Sequence, residues 1–347
     1  MAQKIVFFNH KGGVSKTTTT YNLGWMFALQ GKKVLLVDAD SQCNLTALIL
    51  NDDYERYYLE EATKNNNIKD GVKVAFEGKP HPIVAIDCPV AERNPNLFLL
   101  PGHANLSEYD AALSFAQTSN NAISTLQNLP GAFNDFINKT AAKYEIDLVL
   151  IDLSPALSAI NQNLFTLSDF FIIPTNPDPF SIMALNTLVS ILPRWVDWIE
   201  KMRPAFVDAA YPLPTLTPKL MGTIIQRFNV RKGKAAAPYR SNIEEIKETV
   251  SQKLIPALKQ KQMVYDTQVY TDAGISDNLC LTEIPDFQGL LPKANDNSVP
   301  VFAIEDDEIG ESGTILEELK KKRKDFYELF ESISKQIIRV ANYAKGI

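Results

Sequence analysis

The chain has 347 residues, 45% hydrophobic and 22% charged, enough to bury one large α/β core with modest elaborations. Its net charge of −6 excludes a global attraction to nucleic acid or acidic membranes, so any such binding has to come from a local basic patch. Cys43, Cys88 and Cys280 are scattered without CxxC spacing, which argues against a disulfide framework, a zinc site or an iron–sulfur bridge and fits a reducing, cytoplasmic setting.

The opening MAQKIVFF is too short in its apolar run for a signal sequence, and no later run approaches membrane-spanning length. KIVFF (4–8) and KVLLVDAD (33–40) have the β-branched, aliphatic character of strands buried on both faces. Between them TTTTYNLGWMFALQG carries apolar residues at helical spacing and ends at Gly31, a C-cap, which makes one βαβ unit. Residues 144–155, 168–177 and 218–228 repeat the pattern of a buried strand running into a polar or proline-bearing loop, with helices near 156–167, 181–203 and 241–261. This alternation predicts a doubly wound, mostly parallel sheet with active loops at the C-terminal ends of the strands. The polar, turn-rich stretches 51–95 and 264–313 are expected as insertions into one domain spanning 1–347. Residues 314–344 place Phe326, Leu329, Phe330, Ile333, Ile337 and Val340 on one stripe, predicting a closing helix on the sheet rather than a membrane-targeting one.

FFNHKGGVSKTTTT (7–20) joins the first strand to the first helix. A strand, a Gly-bearing loop and a Lys-Thr helix start suit a nucleoside triphosphate: backbone N–H groups encircle a phosphate, Lys16 neutralises charge, the Thr17 hydroxyl reaches Mg2+, and the helix N-terminus adds partial positive charge. The strict G-x-x-x-x-G-K-[ST] pattern fails, because His10 and Ser15 stand where its glycines belong. Asp38 and Asp40, at i and i+2 of a strand end, share one face and can address the same magnesium and water cluster.

Lys11-Gly12-Gly13-Val14-Ser15-Lys16-Thr17-Thr18 resembles the deviant Walker A loop, K-G-G-x-x-K-[ST], of the ParA/MinD partition ATPases, in the small Soj-like form. The resemblance implies a P-loop ATPase that binds ATP and Mg2+, with the nucleotide sandwiched between two subunits and Lys11, the signature lysine, reaching across to the partner's phosphates. VLLVDADSQCNLT resembles the family's switch I: Asp40 matches the residue that orients the attacking water, Asp38 its partner near Mg2+, and Gln42 and Asn44 support the loop. DLVLIDLSP resembles Walker B, which assigns Asp152 to the Mg2+ water shell, with Ser154 in place of a usual proline. FFIIPTNPDPFSIMAL (170–185) is similar to the family's P-x-x-P-[DE]-x-[FY]-S segment, with Ala184 for a common glycine. The likeness further places Gln226 near adenine and the Pro285 loop against the purine, and it extends to the Pro-Gly turn of LFLLPGHANL (97–106).

By this resemblance the chain is a weak, partner-stimulated ATPase that alternates between an ATP homodimer and an ADP or apo monomer to position or segregate DNA. A ParB-like or other protein activator is implied, and no membrane. Because the phosphate loop begins at the N-terminus, the helix-turn-helix region of larger ParA proteins is not expected, nor is operator-specific binding. QRFNVRKGKAAAPYR (226–240) has five basic residues and no acidic one, so Arg231, Lys232, Lys234 and Arg240 are candidates for nonspecific DNA contacts. The alternatives are a ParA-like switch that docks a protein partner through 51–95 with little DNA binding, and a metabolic enzyme of the same superfamily, which Lys11 and the D-x-D-x-Q motif disfavour.

Overall fold

The computed structural model describes residues 1–118, 124–231 and 234–346. The apolar runs form strands whose residues are buried almost throughout: β1 (Gln3–Phe7), β2 (Val34–Ala39), β3 (Leu97–Leu100), β4 (Leu148–Leu153), β5 (Phe170–Thr175) and β6 (Lys219–Phe228). A small hairpin, β7 (Val230–Arg231) with β8 (Lys234–Ala235), follows β6, and β9 (Cys280–Pro285) comes last. The main sheet has the order β3-β2-β4-β1-β5-β6-β9, with each pairing parallel. Parallel pairing requires crossovers, and the helices that supply them cover both faces of the sheet, the doubly wound arrangement expected from the alternation.

β9 lies in the stretch 264–313, read from sequence as an insertion. As an edge strand it buries Leu281 and Ile284 but leaves the other four residues partly exposed, so it lacks the continuous apolar run of the inner strands. The polar stretch 51–95 likewise contributes Ile68 and Val72, from the helix Ile68–Phe76, to the same apolar core as β1. The C-terminal helix spans Gly313–Lys345 and buries Phe326, Phe330, Ile333, Ile337 and Val340 in that core, leaving Leu329 half-buried. Among the described residues no helix is long and apolar enough to cross a membrane.

Register places the chemistry. Phe7 of β1 and Asp38 of β2 both pair with Asp152 of β4, so the loop leaving β1 and the carboxyl groups ending β2 and β4 meet at one edge of the sheet. The helix after that loop, α1 (Lys16–Leu29), is pressed close to the sheet at Gly24, where an added Cβ would lie 2.5 Å from Leu36 Cδ2 and 3.4 Å from Leu150 Cδ1. This close approach fixes where the α1 N-terminus points. Gly24→Val should therefore lower stability by about 2 kcal/mol in urea unfolding, and weaken nucleotide binding as α1 is pushed outward; an unchanged unfolding midpoint would show that the approach is not required.

Candidate functional site

Between β1 and α1 the chain makes an open loop held by its own backbone geometry. Gly13 (φ 71°) and Ser15 (φ 56°, ψ 36°) both adopt the left-handed conformation. Ser15 thus takes the shape glycine would provide, at a cost of about 1 kcal/mol, and keeps its backbone donor. Asn9 is buried, donates to the Pro174 carbonyl (2.8 Å) and accepts from the Lys11 N–H (3.0 Å), tying the start of the loop to β5. The Lys16 side chain folds back over the loop, its Nζ donating to the carbonyls of Asn9 (3.1 Å) and Lys11 (3.4 Å). Burial lowers the Lys16 pKa, and the Asp152 and Asp40 carboxylates pull it back up.

A cavity of about 670 Å³ opens over this loop, a size suited to a nucleotide. It is lined by Gly13, Val14, Ser15, Lys16, Thr17 and Thr18 of the loop and helix start, together with Asp40, Gln42, Asn44, Arg227, Asn295 and Asp296. Gly12 lies beside the loop after β4, with Pro155 Cβ 3.8 Å from where its own Cβ would stand.

The three carboxyl groups have distinct surroundings. Asp38 is wholly buried; its Oδ2 accepts from the Thr46 N–H (2.8 Å) and hydroxyl (2.7 Å), and its Oδ1 from the Asp40 N–H (3.2 Å). Burial pushes its pKa up to about 6 against those hydrogen bonds. Asp38 therefore anchors the helix Asn44–Leu50 to the end of β2 through both of its carboxyl oxygens. Asp40 lines the cavity and accepts from the Gln42 N–H (3.0 Å). Asp152 is buried with no hydrogen-bond partner of normal geometry at either carboxyl oxygen. Burial, then the neighbouring Asp38, drives its pKa well above the usual carboxylate range, with the Thr17 hydroxyl and Lys16 opposing. A buried, unpartnered carboxyl near the Thr17 hydroxyl is a fitting donor for a divalent cation. Among the described residues no group of three or more His, Cys, Asp and Glu is arranged to hold a metal ion.

Other expected residues sit elsewhere. Lys11 is outside the cavity lining; its Nζ pairs with Asp178 and donates to Ser181 Oγ (3.0 Å). Gln226 is buried, its amide donating to the Val14 carbonyl (2.7 Å) and its oxygen accepting from the Thr19 hydroxyl (3.0 Å), so it braces the loop instead of facing a base. Pro285, ending β9 opposite Phe228, is also outside the cavity lining, which includes Arg227, Asn295 and Asp296. These three were not singled out in the sequence; Arg227 was signalled only by its place in a basic run, and the asparagine and aspartate by nothing local. Arg231 and Lys234 are exposed and face each other across the β7–β8 hairpin, and exposed Arg240 donates from Nε to the Ala235 carbonyl (2.8 Å). Lys232 lies outside the described residues.

Residues 2–201 match the family model of an AAA domain. An uncharacterized protein of Mycobacterium tuberculosis is 30% identical over 232 residues, 66% of this chain and 59% of that protein. The sporulation initiation inhibitor protein Soj of Bacillus subtilis is 28% identical over 190 residues, 55% of this chain and 64% of Soj. The chain thus spans about three fifths of the length of these curated relatives. In fold it is similar to the ATP complex of Cyanothece McdA, with TM-score 0.61 and 19% identity over 97% of this chain and 96% of that one.

The unpartnered Asp152 yields a testable consequence. Its folded-state pKa lies above the unfolded value of about 3.9, so the ionised form costs folding free energy that grows as pH rises from that value toward the folded pKa and is absent below it. Asp152→Asn should stabilise the nucleotide-free protein at neutral pH by on the order of 1 kcal/mol, with the gain vanishing toward pH 4, while abolishing Mg2+-dependent nucleotide binding. Thermal melts across pH, with and without Mg2+ and ATP, check both; a variant less stable than wild type at neutral pH would contradict the assignment.

Proposed function

The chain belongs to the AAA domain family and, within it, to the ParA-like partition ATPases, and on that footing we propose that it is a Mg-ATP switch, forming a dimer with ATP and returning to monomer after hydrolysis. The observation that carries this reading is the division of labour between the two lysines. Lys16 is folded over the phosphate loop and completes the subunit's own cavity. Lys11 starts from the same loop but directs its ammonium away from that cavity, to Asp178 and Ser181. A cation so placed serves the phosphates of a second subunit, as an arginine finger serves its partner.

In the loaded site ATP would rest on the N–H groups of residues 13–18, with Lys16 against its phosphates. The Thr17 hydroxyl and the carboxyls of Asp152 and Asp40 would hold Mg2+, directly or through water, and the ion would supply charge neutralisation at the phosphates. Asp40, at the cavity wall, holds and orients the attacking water. Arg231, Lys234 and Arg240 support DNA as cargo: none makes an ion pair among the described residues, so their charge is available to a phosphate backbone. A ParB-like or other protein activator would time hydrolysis.

Two expectations follow. Lys11→Ala should bind ATP but remain monomeric, whereas Asp40→Ala should accumulate an ATP dimer with hydrolysis slowed about a hundred-fold or more. Sedimentation with ATP, ADP and no nucleotide reads both; identical oligomeric states for all three proteins would refute the switch. The triple variant Arg231→Ala, Lys234→Ala, Arg240→Ala should weaken binding to random duplex DNA and flatten the log affinity–log salt slope by about 3. No DNA binding by wild type with ATP would favour a protein cargo instead.

A further inference from the structure

The carbonyl groups of the phosphate loop are held by side chains at the ends of β5 and β6. The Gly13 carbonyl accepts two hydrogen bonds, from Asn176 Nδ2 (3.0 Å) just after β5 and from the Arg227 guanidinium (3.0 Å) near the end of β6. The next carbonyl, that of Val14, accepts from Gln226 Nε2 (2.7 Å). In a planar trans peptide the C=O of one residue and the N–H of the next point in opposite directions. Holding the Gly13 carbonyl outward therefore aims the Val14 N–H inward, and holding the Val14 carbonyl outward does the same for the Ser15 N–H.

Two neighbours on one strand serve this purpose only because β6 is irregular. In a regular strand Gln226 and Arg227 would project to opposite faces. Gln226 pairs with Ile284 and Phe228 with Pro285, which leaves Arg227 as the extra residue of a bulge, at φ 64°. The left-handed turn at this residue re-aims its side chain toward the loop that Gln226 already touches. Asn176 is positioned in turn by its own backbone N–H, which donates to Ser181 Oγ (3.1 Å), the hydroxyl that also receives Lys11.

We propose that Asn176, Gln226 and Arg227 are positioning residues that clamp the carbonyls of Gly13 and Val14, and so fix the inward N–H groups that hold the β-phosphate. The clamp replaces rigidity that the loop's sequence lacks, since Ser15 holds a strained conformation that side-chain capping does not support. This rests on the nucleoside-triphosphate reading of the cavity. Asn176 is outside the cavity lining and acts on the backbone alone, whereas Arg227 also lines the cavity, so Asn176→Ala is the variant that isolates the clamp, and its loss affects every ligand with a β-phosphate alike.

Isothermal titration calorimetry of ATP and ADP with Mg2+ tests it on wild type, Asn176→Ala, Arg227→Ala and the double variant. Gln226 is left intact because it is buried. Each single variant should weaken ATP and ADP by the same factor, about three- to ten-fold, with nucleotide-free melting temperatures unchanged. The double variant should lose more than the product of the singles, because both donors hold one carbonyl and the first loss leaves the second in place. Wild-type affinity in the double variant, a loss confined to ATP, or a double equal to the product of the singles would each overturn the clamp. Absence of ATP and ADP binding by wild type would instead overturn the reading of the cavity on which the clamp rests.

Discussion

Burying two carboxyl groups side by side at the C-terminal end of a parallel sheet is the constraint on which this structure depends. Asp38 and Asp152 are both buried and directly paired in register, close to Lys16, which is itself buried. Each would be unfavourable alone. Asp38 is stabilised by three hydrogen bonds from the chain that follows it, whereas Asp152 has only the Thr17 hydroxyl beside it, outside normal hydrogen-bond geometry. The first carboxyl is thereby committed to structure and the second left with unmet demand for a cation. The same strand ends supply both, so folding and ligand binding share one electrostatic problem.

The phosphate loop solves a related problem with backbone rather than charge. An anion cradle needs several N–H groups convergent on one point, an arrangement that a free chain does not hold. Two left-handed residues create the turn, and Asn9, Asn176, Gln226 and Arg227 fix it to β5 and β6. The α1 helix, pressed to the sheet at Gly24, then brings its N-terminus to the same point.

Lys11 belongs to a second network, directed away from the cavity. Asp178 and Ser181, which receive its ammonium, open the helix Pro179–Met202, and Asp178 also caps that helix by accepting from the Ser181 N–H (2.8 Å). The cap residue thus carries a carboxylate that neutralises Lys11, and the fate of this lysine is coupled to the start of a long helix packed on the sheet.

The sequence by itself determined the parallel sheet, because its inner strands are buried on both faces and must be apolar throughout, and it determined the phosphate loop, because lysines and glycines at that spacing leave few other uses. It placed Asp40 and, through the resemblance of DLVLIDLSP to a known motif, Asp152 at strand ends, where a parallel sheet collects its polar groups, and the structure puts both there. It could not separate Asp38 from them, because the difference lies in Thr46, whose hydroxyl and N–H reach back only once the next helix has packed. β9 was hidden by its place at the sheet edge, where half-exposed residues blur the pattern of a strand. Gln226 and Arg227 were decided by tertiary structure alone: a bulge against β9 turns two consecutive side chains toward one loop, and alternation along a strand predicts the opposite.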